Sequence, residues 1–190
     1  MFKNLLALIG LVAIIAAGGV YVKSKSIISE FDPGAVATYT ELFTNILKHK
    51  DAATASVWRF KVEEGLTAEE VEETMKFVAN EHNIANVGEL PLSKDISAKL
   101  GKDYRFVKIF LFCNSLTAAK MLDYNDAFSA YLPCRVTLVE DTTGQLWVYS
   151  LNMDLMIHGG KPLPTELKEE AEKVKRIILD IMKRGAEGDF

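Results

Sequence analysis

Residues 105–113, RFVKIFLFC, carry apolar side chains at both parities: Val107, Ile109 and Leu111 on one, Phe106, Phe110 and Phe112 on the other. A strand with one wet face alternates, whereas a strand apolar on both sides lies inside a sheet with material packed on it. This stretch therefore places a sheet at the centre of the fold. Downstream, a crossover from Ser115 to Tyr131 leads to two strand-like runs, Cys134–Glu140 and Gln145–Leu151. They are joined across Asp141-Thr142-Thr143-Gly144, the pattern of a hairpin. Upstream, a short strand is expected around Ile84–Leu90, then a brief helix from Ser93 to Leu100 closed by Gly101. Before these, Thr67-Ala68-Glu69-Glu70 forms a capping box, in which threonine and glutamate satisfy each other's orphaned backbone N–H groups. The helix it opens carries Val71, Met75, Val78 and His82 on one stripe. Further upstream Ser56, Trp58, Phe60 and Val62 share a face opposite Arg59 and Lys61, as in a half-buried strand. A last helix, Pro164–Arg184, buries Leu167, Ala171, Val174, Ile178 and Ile181, with acids in its first turns, Lys183 and Arg184 in its last, and Gly185 just beyond. The order predicts an α+β domain: a mostly antiparallel sheet of about five strands with helices packed on it.

The N-terminus has a different character. Leu5 to Val22 is an uninterrupted apolar run of 18 residues, flanked by Lys3 before it and Lys23 and Lys25 after it. At ~1.5 Å per residue a helix of that length just spans a hydrocarbon core of ~30 Å. Ala16-Ala17-Gly18 is a weak match to a cleavage site, so the run is expected to stay as one transmembrane helix. The flanking charges are nearly balanced. A short polar tip stays behind while a long C-terminal part crosses, which predicts a single-pass protein of the bacterial inner membrane with a periplasmic domain. The expected organisation is an anchor over 1–25, a linker and stalk helix over 26–53, and a soluble domain over 54–190. The stalk is read as starting with Asp32 as N-cap and Pro33 in the first turn. Val36, Tyr39, Phe43, Ile46 and Leu47 follow at helical spacing, a stripe that must be buried against something.

All 26 acidic residues lie beyond residue 25, with 19 of the 22 lysines and arginines, so the soluble part is acidic and has no basic stripe. Nucleic acid is excluded as a partner. No G-x-S-x-G, H-E-x-x-H, dinucleotide-binding glycine pattern or Walker loop is present, and no residue recommends a hydrolase.

The chemistry-bearing residues are few. Cys113 ends one strand and Cys134 begins a later one. In an exported domain such a pair forms a disulfide, stays as buried thiols, or serves a metal or redox site, and the sequence leaves all three open. Met153, Met156 and His158 fall within six residues and precede Gly159-Gly160, a turn that lets backbone approach a ligand closely. Thioether, imidazole and thiolate are the ligands copper prefers, so these residues with His82 make a low-ranking metal set. Core filler is the plainer role for the methionines, and a hydrogen-bonded core position for His82.

The strand end Phe110-Leu111-Phe112-Cys113-Asn114, then Leu132-Pro133-Cys134-Arg135-Val136, then Glu140-Asp141-x-x-Gly144-x-x-Trp147 resemble the bacterial domain-of-unknown-function-302 family. That family shows an F-G-N-P-like strand end, L-P-L-R-V and E-D-x-x-G-x-x-W. The resemblance covers roughly residues 54–160. It implies a compact α+β domain that self-associates and has no established activity. Cys113 and Cys134 replace the family's glycine and second leucine. The membrane helix, the stalk and the long C-terminal helix stand outside the resemblance. The expected function is a membrane-anchored binding or interaction domain without a cofactor, working as a homo-oligomer or with a membrane protein partner. The alternative is a periplasmic redox or metal protein holding copper or haem through Cys113, Cys134, His158 and the nearby methionines.

Overall fold

The computed structural model describes residues 2–190. Met1 and the side chains of 2–9 and 13 lie outside the described residues, and with them the opening turns of the Leu5–Val22 run. Helix α1 (Phe2–Ile28) contains a stretch, Gly10–Ile28, that is long and apolar enough to cross a membrane and is buried nowhere against the rest of the chain. After it come α2 (Ala35–His49) and the single turn α3 (Ala52–Ala55).

Strands β1 (Val57–Lys61), β2 (Ala85–Leu90), β3 (Val107–Cys113), β4 (Cys134–Glu140) and β5 (Leu146–Leu151) form one sheet in the order β1-β5-β4-β3-β2. Every neighbouring pair is antiparallel. On one face lie α4 (Ala68–Glu81) and α8 (Thr165–Glu187), packed on each other and on the strands. Their stripes meet Phe110, Phe112, Val136, Leu138 and Val148, all fully buried, in a single core. The second parity of β3 is shielded too. Helix α5 (Leu92–Leu100) packs against this strand, where Val107 is buried and Ile109 and Leu111 are half-buried. That is why 105–113 reads as apolar on both sides.

Lys108 is the one charge on the inward parity of β3, and it is neutralised in place. Its ammonium reaches Glu72 (2.5 Å) on α4 and Glu89 (2.6 Å) on β2, and Lys76 reaches the same two carboxylates (2.5 and 2.7 Å). Burial alone would push the Glu89 carboxyl up, but the two lysines and Asn86 bring it down to about 2. The quartet ties α4 to the β2–β3 edge by charge where the core has run out.

The capping box forms as expected, with Thr67 Oγ1 accepting from Glu70 N–H and the Glu70 carboxylate accepting from Thr67 N–H (2.7 Å). Two expectations are corrected. Gly185 is not the stop of the last helix. It lies inside α8, and Gly188, at φ 68°, provides the left-handed cap. Gly185 is small for a packing reason: a Cβ there would sit inside the van der Waals envelope of Met75 Cγ on α4. Likewise Asp32 is not the N-cap of α2, which starts at Ala35 after Gly34. Its carboxylate is drawn into the domain instead.

Gly185→Ala is expected to destabilise the fold by about 1–3 kcal/mol through overpacking of the α4–α8 contact, read as a lower midpoint in thermal or denaturant unfolding. Gly188→Ala, at a half-buried left-handed cap, should cost about 1–2 kcal/mol by backbone strain, to which crowding of the new Cβ against Leu66 adds.

Candidate functional site

At the open end of the sheet, β3 stops at Cys113 and Asn114 turns the chain into α6 (Ser115–Tyr124), its side chain accepting from the N–H groups of Leu116 and Thr117 (3.1 Å each). A 3-10 turn, Asp126–Tyr131, brings the chain back to Cys134 at the start of β4. α6 leans mainly on α8, and a gap remains between the strand ends and the two helices. It is a cleft of about 700 Å³ counted out to its mouth that narrows to a slot-like cavity of about 50 Å³.

The walls are sulfur-rich. Cys113, Cys134, Met121, Met153 and Met156 all line the slot, with Ala171 and Val174 of α8 opposite. The register pairs Cys134 with Phe112, which leaves Cys113 one residue further on with opposite parity. Both are free thiols. Burial pushes the Cys134 thiol up to about 11, and its neighbour Cys113 adds to the rise. Burial also raises Cys113, with a partial offset from Ser115. Thiols held protonated are poor nucleophiles. Among the described residues, the lining contains no carboxylate and no imidazole.

Four of the six residues singled out from the sequence thus meet in one place: Cys113, Cys134, Met153 and Met156. The two histidines do not join them. His82 caps the end of α4, where its Nε2 lies 2.7 Å from Asp180 on α8. His158 ends the short α7 (Asp154–His158), with Nδ1 3.0 Å from Asp32 Oδ1 and Nε2 2.8 Å from Glu172 Oε1. The Gly159 and Gly160 carbonyls accept from Tyr39 Oη–H (2.6 Å) and from Asp32 N–H (2.8 Å) respectively.

The sequence reading missed the centre of this second cluster. The Asp32 carboxylate is fully buried and accepts from Lys168 of α8 and from the Gly34 N–H (2.8 Å), besides meeting His158. Burial would raise its pKa, but Lys168, Gly34 N–H and His158 together hold it below the usual carboxylate range. A fully buried carboxylate needs such partners to exist as a charge. The arrangement latches the segment that follows α1 onto α7 and α8. No local pattern announces it, because its members stand more than 120 positions apart.

Against known proteins, a family model for the domain of unknown function DUF302 matches residues 58–184. The crystal structure of an uncharacterized conserved DUF302 protein from Bacillus stearothermophilus is similar in fold, with a TM-score of 0.53 at 17% identity, over 66% of this chain and 94% of that one. No curated protein matches the chain. The matched residues run through α8 to Arg184, so the long C-terminal helix is part of the matched domain and not an addition to it, whereas α1, α2 and α3 precede it.

Asp32 supplies a test with a definite sign. A carboxyl whose pKa is lowered by folding stabilises the fold above about pH 4, its unfolded range, and loses that contribution as pH falls through the lower folded value. Asp32→Asn is expected to cost about 1–3 kcal/mol at neutral pH and to flatten part of the acid-side decline in melting temperature. An unchanged acid limb in the variant would mean that the latch does not contribute.

Proposed function

The chain belongs to the DUF302 family, and on that footing we propose that it is a membrane-anchored binding domain whose ligand occupies the sulfur-lined slot between the sheet end, α6 and α8. The observation that carries this is the slot itself: an apolar cleft open to solvent at the edge of an otherwise closed core. Covering apolar surface contributes roughly 25 cal/mol per Å², and methionine walls adapt to an occupant's outline. The polar lining residues Asn114, Arg135 and Asn152 can orient a ligand that has one polar end. With both thiols protonated and neither carboxylate nor imidazole among the described lining residues, binding is favoured over proton-transfer chemistry. In this reading α1 is the anchor, and the domain beyond it is proposed to lie on the periplasmic side.

A second reading rests on the five sulfur side chains sharing one slot. A soft monovalent ion such as Cu(I) takes thiolate and thioether ligands, and binding it would drive the proton off each thiol. His158 and His82 drop out of that ligand set, since both are held by carboxylates elsewhere. A slot this narrow suits an ion or a slim chain better than a haem macrocycle.

Non-denaturing mass spectrometry with elemental analysis, on untagged full-length protein from native membranes, separates the two. A small organic adduct that is lost in Ala118→Phe is the expected result. Stoichiometric copper lost in the Cys113→Ser/Cys134→Ser double variant would favour the second reading, and a bare chain mass in wild type would remove both. The self-association implied by the family resemblance is a further part of the proposal. Light scattering on the detergent-solubilised chain should give a particle larger than one protomer, and a strictly monomeric one removes that part.

A further inference from the structure

Helix α2 has three faces, where an ordinary surface helix has two. Ala35, Thr38, Leu42, Asn45 and Ile46 turn inward and are buried or half-buried where α2 packs on α3 and α7. Glu41 and Lys48 lie on a polar flank. The third face is Val36, Thr40, Phe43 and Leu47, a row at i, i+4, i+7 and i+11. Among the described residues nothing covers it: Val36 is 56% exposed, Phe43 61% and Leu47 62%. The Val36–Leu47 stripe, expected to be buried against something, is covered by the domain only in part.

We infer that this outer row lies in the surface of the lipid bilayer, so that α2 is an interfacial helix holding the domain against the membrane that α1 crosses. The inference rests on the anchored reading above. Three observations choose lipid over another occupant. First, only six residues separate Ile28 at the end of α1 from Ala35 at the start of α2; at most ~3.3–3.6 Å per residue, they keep the first turn of α2 within about 25 Å of the end of α1. Second, the row is continuous with the membrane helix. Ile27, Ile28 and Phe31 share an apolar groove with Val36, Tyr39 and Thr40, so the exposed end of α1 and the outer face of α2 border the same surface. Third, the orientation of the helix is latched: Tyr39 Oη–H donates to Gly159 O, and just before the helix Asp32 is held by Lys168, Gly34 N–H and His158. The helix therefore cannot roll to hide Val36, Phe43 and Leu47 without breaking these bonds. Apolar residues on one face of a helix held in the headgroup region are the mark of interfacial binding. Lys23 and Lys25 precede it and Lys48 and Lys50 lie at its far end, long exposed cations that can reach headgroup phosphates.

Tryptophan fluorescence on the full chain in phosphatidylcholine–phosphatidylglycerol vesicles tests this, with a fraction of the lipid dibrominated on its acyl chains. Val20→Trp reports α1, Phe43→Trp and Leu47→Trp report the outer row, and Glu41→Trp reports the polar flank. Trp58 and Trp147 supply a constant background measured in the wild type. The expected result is that Val20→Trp, Phe43→Trp and Leu47→Trp each lose half or more of the added emission, shallow bromines being the more effective for the α2 positions, while Glu41→Trp loses little. If Val20→Trp is quenched and both outer-row probes are quenched no more than Glu41→Trp, the anchor stands and the inference fails. Blue-shifted outer-row emission without bromine quenching would assign the face to a second protein copy instead. If Val20→Trp is itself unquenched, the anchored reading and the inference fall together.

Discussion

Burial of one face of α8 against the sheet is the contact on which the rest of the structure depends. Leu167, Ala171, Ile178, Ile181 and Met182 lie in the same core as Phe110, Phe112, Val136 and Leu138. At ~1.5–3 kcal/mol for each large apolar side chain removed from water, this layer is the largest favourable term available to the domain. It also sets positions elsewhere. Where α8 meets α4, contact is close enough to require Gly185 beneath Met75. Where it passes the end of the sheet, it leans on α6 and leaves the slot. Near its start, the turns exposed to α7 and α2 carry Lys168 and Glu172, which reach Asp32 and His158.

The two polar clusters use charge differently. Lys108, Lys76, Glu72 and Glu89 form a balanced quartet at a sheet edge, where partly exposed side chains can still draw on water. Asp32 has no such access, and its carboxylate survives as a charge because an ammonium, an imidazole and a backbone N–H converge on it. The second arrangement costs more to assemble and is correspondingly specific. It locates the first residues after α1 with respect to α7 and α8, which sets how the domain meets whatever α1 is embedded in.

The sulfur-lined slot shows how unremarkable residues become a site. Met153 and Met156 taken singly are ordinary core residues, and the two cysteines sit more than twenty positions apart. The antiparallel β3–β4 register brings Cys134 beside Phe112 and so close to Cys113, and α7 supplies the methionines beneath them. The histidines that the sequence placed in the same company are claimed by carboxylates on α8 and on the segment between α1 and α2. A soft-ligand set survives without its imidazoles.

The sequence alone determined the elements and their order. The two-parity strand at 105–113, the hairpin across Asp141–Gly144, the capping box at Thr67 and the amphipathic last helix are local patterns, and local patterns follow from backbone sterics and hydrophobic periodicity over a few residues. The apolar N-terminal run was legible for the same reason. Tertiary structure decided everything that depends on which distant side chains meet. It made Gly185 a packing residue and Gly188 the cap, moved Asp32 from a helix start to a buried latch, separated His158 and His82 from the cysteines, and left one face of α2 uncovered. These outcomes turn on contacts between residues up to 136 positions apart. Such contacts are selected by the burial of whole faces, and no window of sequence contains both partners.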